Sequence, residues 1–188
     1  MRNALAFALL LALALSLTAD RSEAQLALMP YIGLNTGESD LGAIEGGFLL
    51  GIGAEFALPA STSLNLALRP SAEYQFVDIA GDVVDGSYLQ LNADGIIRFN
   101  GTPTISPFAG AGLAFGVISL DDGENDESES GIGLNLLGGA EFNTGGAFTP
   151  FAQARYTMIN IEGEGSDFNA APEGFAIIGG LVIALGAN

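Results

Sequence analysis

The sequence predicts an all-β chain: an eight-stranded antiparallel up-and-down transmembrane β-barrel, preceded by a cleavable signal peptide. Three observations carry this expectation. Apolar and polar residues alternate with period two along most of the chain, the mark of strands with two unlike faces. The alternating runs exceed the ~5–6 residues usual for globular strands and suit a tilted membrane-crossing strand of ~9–11 residues. The connections also alternate, short and then long and acidic, as in a barrel with tight turns at one end and loops at the other.

The N-terminus comes first. Arg2 supplies a positive start, Ala4 to Leu17 an apolar stretch, and Ser22-Glu23-Ala24 a small-residue cleavage site before Gln25. This is the pattern of a secretory signal, with cleavage after Ala19 as the alternative. A membrane anchor would need ~20 apolar residues. Residues 1–24 are therefore read as the signal peptide and 25–188 as one barrel domain.

Eight runs follow, at 26–36, 45–58, 62–77, 86–100, 103–119, 131–143, 147–161 and 173–186. In the third, Leu64, Leu66, Leu68, Ala72, Tyr74 and Phe76 share one parity, against Asn65, Arg69, Ser71, Glu73 and Gln75. In the fourth, Leu89, Leu91, Ala93, Ile97 and Phe99 oppose Gln90, Asn92, Asp94, Ile96 and Arg98. In the fifth, Gly110, Gly112, Ala114 and Gly116 alternate with Ala111, Leu113, Phe115 and Val117. The tetrapeptide GAEF occurs in both the second and sixth runs, with Glu55 and Glu141 between an alanine and an aromatic ring.

Short links follow the second, fourth and sixth runs: Pro59-Ala60-Ser61, Gly101-Thr102 and Thr144-Gly145-Gly146. The other links gather acids, most densely in DDGENDESES, Asp121 to Ser130. This reconciles 49% hydrophobic residues with a formal net charge of −17. In the strand interiors only Glu55, Glu73, Asp94, Glu141, Arg69, Arg98 and Arg155 are charged, each on the polar parity of its run. An arginine on the lipid face at the bilayer midplane costs ~2–4 kcal/mol, and a one-residue slip in register would put these charges there. All seven are therefore expected inside, the acids paired with the arginines, because buried charges persist only when paired and hydrogen-bonded. Phe56 and Phe142 are expected in one aromatic girdle, and Tyr74, Phe76, Tyr88 and Phe175 near the other rim.

Composition narrows the chemistry. The chain has no cysteine, histidine or lysine, which removes thiolate sites, the commonest general base and any basic nucleic-acid footprint. No cofactor, catalytic residue or defined metal site is expected. The glycine-rich stretches lack the Gly-Lys-Ser/Thr of a phosphate loop and read as strand glycines beside a crowded interior. Asp121, Asp122, Glu124, Asp126 and Glu127 form a weak divalent-cation candidate, although the ligand order of a calcium loop is not met. Nothing marks a nucleophile, so the chain is read as a non-enzyme.

PFAGAGLAFG (Pro107 to Gly116), the two GAEF segments and ARYT (Ala154 to Thr157) resemble the outer-membrane β-barrel domain family, the OmpA/OmpX-like small barrels. The resemblance covers about residues 27–186. It implies eight antiparallel strands, short turns on the periplasmic side, insertion by the outer-membrane assembly machinery and residence in the cell outer membrane. It implies no particular task, since members include adhesion and integrity proteins. One departure is the ending IALGAN, Ile183 to Asn188, where such barrels often carry an aromatic residue used in assembly.

The expected function is a structural or surface-interaction role through acidic extracellular loops, with the lumen plugged by the charge network. Expected partners are outer-membrane lipids, including lipopolysaccharide bridged through divalent cations, and an unspecified surface ligand. A narrow channel for ions or small solutes is the first alternative. The second is a soluble lipocalin-like binder, whose apolar face would point inward.

Overall fold

The computed structural model describes residues 26–38, 44–45, 47–58, 65–79, 85–121, 126–160 and 173–185. The expected signal peptide lies outside them. Eight long strands are present: β1 (Leu26–Glu38), β3 (Phe48–Ala57), β4 (Asn65–Ile79), β5 (Asp85–Arg98), β6 (Ile105–Asp121), β7 (Asp126–Phe142), β8 (Phe148–Asn160) and β9 (Glu173–Leu185). A two-residue strand, β2 (Ile44–Glu45), pairs with β4 at Ile79 and Asp78.

Every pairing is antiparallel, and the long strands close on themselves. The sheet runs β4-β3-β1-β9-β8-β7-β6-β5, and β5 returns to β4. First and last long strands meet with Leu26 opposite Leu185 and Glu38 opposite Glu173. Closure satisfies the backbone groups that an open edge would leave bare in hydrocarbon. Two ladders have gaps. The β1–β9 ladder skips Met29 and Pro30, and the β3–β4 ladder skips the stretch where Ala54 and Glu55 face Pro70 and Arg69. Proline has no N–H to give a neighbouring strand.

The two faces separate as the alternation requires. Ile32, Leu34, Leu50, Ile52, Ile132, Leu134, Leu136 and Ile177 are exposed on the outer surface. Gln75, Gln90, Asn92, Asn135 and Thr157 are buried inside, along with Glu55, Arg69, Glu73, Asp94, Glu141 and Arg155, six of the seven charges expected there; the seventh, Arg98, is partly buried. A soluble binder with an apolar interior and a polar coat would show the reverse arrangement.

Aromatic rings mark both ends of the outer face. Phe99, Phe142 and Phe148 are exposed at the short-turn end. Toward the other end Tyr74 and Phe76 meet edge-on at 5.0 Å, Phe48 lies 6.3 Å from Phe76, and Tyr156 lies 4.8 Å from Phe175. The turn after β7 reverses at Gly145, whose φ of 75° is open to glycine at no steric cost.

Three local expectations change. Tyr88 belongs to no rim: it shares the parity of Gln90 and Asn92 and is fully buried in the lumen. Phe56 keeps the outward parity but is only 8% exposed, flanked in register by Leu26 and Leu68. DDGENDESES is mostly strand, because β6 and β7 stay paired out to Asp121 opposite Asp126. The hairpin continues past the apolar stretch because backbone pairing, unlike lipid contact, does not depend on side-chain polarity.

Candidate functional site

The inward-facing side chains fill the cylinder and form the candidate site. Glycine makes this possible. A Cβ on Gly51 would sit 2.1 Å from Cζ of Tyr31, and one on Gly116 would sit 2.2 Å from the Tyr88 hydroxyl. Both are far inside contact distance, so each tyrosine lies across the lumen only because its neighbour has no side chain.

Toward the short-turn end, four charges form a closed ring. Arg69 Nε donates to Glu55 Oε2 at 2.6 Å, and its Nη2 donates to Glu141. Arg98 Nη2 donates to Glu55 Oε1 at 2.5 Å and to Glu141 Oε1 at 2.8 Å, while its Nε reaches Glu141 Oε2 at 3.0 Å. Each carboxylate thus touches both guanidinium groups, and the ring is neutral. The Arg69 guanidinium carbon also lies 4.6 Å from the Phe108 ring centre and 5.9 Å from that of Phe151, where an aromatic face favours a cation.

A second group lies farther along the lumen. Arg155 Nη2 donates to Glu73 Oε1, Tyr31 Oη donates to Glu73 Oε2 at 3.2 Å, and Gln75 Nε2 donates to Glu73 Oε1 at 3.0 Å. Asn35 Nδ2 extends the group to Gln75 Oε1 at 2.8 Å. A third group is built on amides. Asn135 Nδ2 donates to Asn92 Oδ1 at 2.8 Å and Asp94 Oδ1 at 3.0 Å. Thr157 Oγ1 donates to Asn135 Oδ1, Gln90 Nε2 to Asn92 Oδ1, and Asn92 Nδ2 to Ser71 Oγ.

The seven charges expected together are therefore divided. Glu55, Arg69, Arg98 and Glu141 meet, and Glu73 meets Arg155. Asp94 has no arginine within ion-pair distance among the described residues and is held by Asn135 instead. The reason is positional. Asp94 is the register partner of Arg69 on β4, but Arg69 is already engaged by Glu55 and Glu141. Of the acidic candidates, Asp121, Asp126 and Glu127 are located only by backbone pairing, and Asp122 and Glu124 fall outside the described residues.

Apolar side chains fill the remaining space. Ala67, Ile96, Phe108 and Leu137 form one packed cluster, and Met29, Tyr31, Leu49, Phe151, Ala176 and Ile178 form another. Phe108 and Phe151 were not singled out from the sequence. Phe108 shares its parity with Gly110 and Gly112, which was the available signal. Between the groups is a cavity of about 20 Å³, little more than the ~10–15 Å³ that one water needs.

The sequence model of the outer membrane protein beta-barrel domain matches residues 5–175. The chain belongs to this family. Outer-membrane location follows from that membership. Solved structures with a similar fold include Neisserial surface protein A, at a TM-score of 0.69 and 20% identity over 85% of this chain and 97% of that one. Ail, the attachment invasion locus protein of Yersinia pestis, has a TM-score of 0.52 and 15% identity, covering 86% of this chain and 97% of its own. The N-terminal β-barrel domain of Pseudomonas aeruginosa OprF has a TM-score of 0.53 and 15% identity, with the same coverage. A search of curated proteins returned no match. At these identities the resemblance to the solved barrels is one of fold.

Proposed function

We propose that this outer-membrane barrel is a non-conducting body, and that its task is structural or surface-directed, carried by the acidic connections at its long-loop end. The observation that supports this most is the neutral Glu55–Arg69–Glu141–Arg98 ring. Its bonds span β3, β4, β5 and β7, so an ion travelling the axis would have to break several charge-assisted hydrogen bonds inside a low-dielectric interior.

The proposal includes export with removal of residues 1–24, insertion by the outer-membrane assembly machinery, and no enzymatic activity. It also includes a partner chemistry. One structure of Ail contains the heparin analogue sucrose octasulfate. A polyanion of that kind does not suit a chain of net charge −17. Acidic loops beside an anionic lipopolysaccharide surface need divalent cations between them, and a protein ligand for these loops would be basic.

Planar-bilayer recording of the purified barrel tests the reading. The expected result is no steady conductance for the wild type, with a leak appearing in Arg98→Ala. Steady wild-type conductance that Arg98→Ala abolishes or alters would replace it with the narrow-channel alternative.

A further inference from the structure

The wall has two breaks in its backbone mesh, and they flank the β1–β3 hairpin on both sides. Pro30 on β1 stands opposite Leu181 by register, inside the gap of the β1–β9 ladder. Pro70 on β4 stands opposite Ala54, inside the gap of the β3–β4 ladder. Pro30 also faces Ile52 across the intact β1–β3 ladder. The two breaks therefore lie at the levels of Ile52 and Ala54, near the middle of β3. Both prolines keep the outward parity, Pro30 with Ile32 and Pro70 with Tyr74. The other strand prolines interrupt nothing. Pro107 and Pro150 stand just beyond the β5–β6 and β7–β8 ladders, which end at Phe108 and Phe151.

We propose that the β1–β3 hairpin is a movable leaf of the barrel wall, able to part from its neighbours at mid-depth and latched from inside by side chains. A proline supplies no N–H, and hydrocarbon offers no water to take its place, so each break weakens the junction on one side of the leaf. Packing does not make up the difference, since Met29, Gly53 and Pro70 border the lumen cavity and lose contacts on that side. The latch stands at the same place. Glu55 is the register partner that Arg69 lacks in the broken β3–β4 ladder, and Arg69 Nε donates to Glu55 Oε2 at 2.6 Å. A charge-assisted side-chain bond thus spans the strands where the backbone bonds fail. Tyr31 on β1 reaches over Gly51 of β3 to Glu73 on β4 and ties the leaf a second time.

Amide hydrogen exchange of the barrel in lipid nanodiscs, followed residue by residue by NMR, tests the leaf. Local opening sets the exchange rate. The amides of Leu28, Ile52 and Ala54 should exchange about tenfold faster than those of Leu113 and Leu134 in the unbroken β6–β7 ladder, the factor expected for roughly one missing hydrogen bond. Pro70→Ala restores a donor and should slow Ala54, whereas Pro150→Ala should leave the pattern unchanged. Glu55→Gln should speed Ala54 more than Leu113. Equal exchange of the two sets in the wild type would overturn the proposal, as would a Pro70→Ala barrel in which Ala54 exchanges as before. Glu55→Gln speeding every strand alike would overturn the latch. The closed-lumen reading is separate, because its bilayer recording can be silent whichever way the exchange rates fall.

Discussion

Glu141→Gln is the sharpest perturbation of the ring. Glu141 accepts from Arg69 Nη2 and from Arg98 Nε and Nη2. The amide keeps one carbonyl acceptor but presents an NH₂ group to two cations. It also leaves Arg69 and Arg98 sharing the single charge of Glu55. Removing one partner of a buried ion pair costs ~3–5 kcal/mol, because the other charge remains buried and uncompensated. With a urea dependence of about 2 kcal/mol per molar, the unfolding midpoint should fall by roughly 2 M. Circular dichroism of the barrel refolded into lipid vesicles would follow the transition. The double variant Glu141→Leu with Arg98→Met leaves Arg69 and Glu55 paired, and it should regain much of the loss. A Glu141→Gln midpoint within about 0.3 M of wild type, or a double variant that loses the sum of the single effects, would refute the ring as a coupled unit.

Two further predictions concern the wall. Ile52, 55% exposed near the middle of β3, should tolerate Leu but not Arg. Ile52→Arg should lose ~2–4 kcal/mol of folding stability in bilayers, visible as a lower folded fraction on unheated gels. Gly51→Ala forces a methyl against the Tyr31 ring and should cost about 1–3 kcal/mol by overpacking. Gly138→Ala, where a Cβ would find only Phe108 O at 3.7 Å, should be neutral or slightly stabilising. Equal midpoints for the two alanine variants in the same urea titration would contradict the tyrosine-seat account.

The wall was legible in the sequence because hydrocarbon imposes a strict rule on every second residue. Arg69, Arg98 and Arg155 could be assigned to the interior from parity alone. Partner choice across the lumen was not legible, since strands distant in sequence meet there at heights set by the register of the whole cylinder. Asp94 shows this: its charge suggested an arginine, while the register supplied Asn135. Tyr88 was misread because an aromatic near a strand end suggests a membrane interface, although its parity with Gln90 already pointed inward. The β6–β7 hairpin was cut short for a similar reason. Lipid-facing alternation stops near Val117, but backbone pairing continues through polar sequence to Asp121.

The pairing of Leu26 with Leu185 has a bearing on folding. Every other neighbouring pair of long strands joins segments close together along the chain, so those hairpins can form locally. The last junction is between opposite ends of the polypeptide, and bringing such remote segments together is slow. Until β9 docks, β1 keeps a bare edge, so a chain cut short before Glu173 would form an open sheet prone to sticking to other strands.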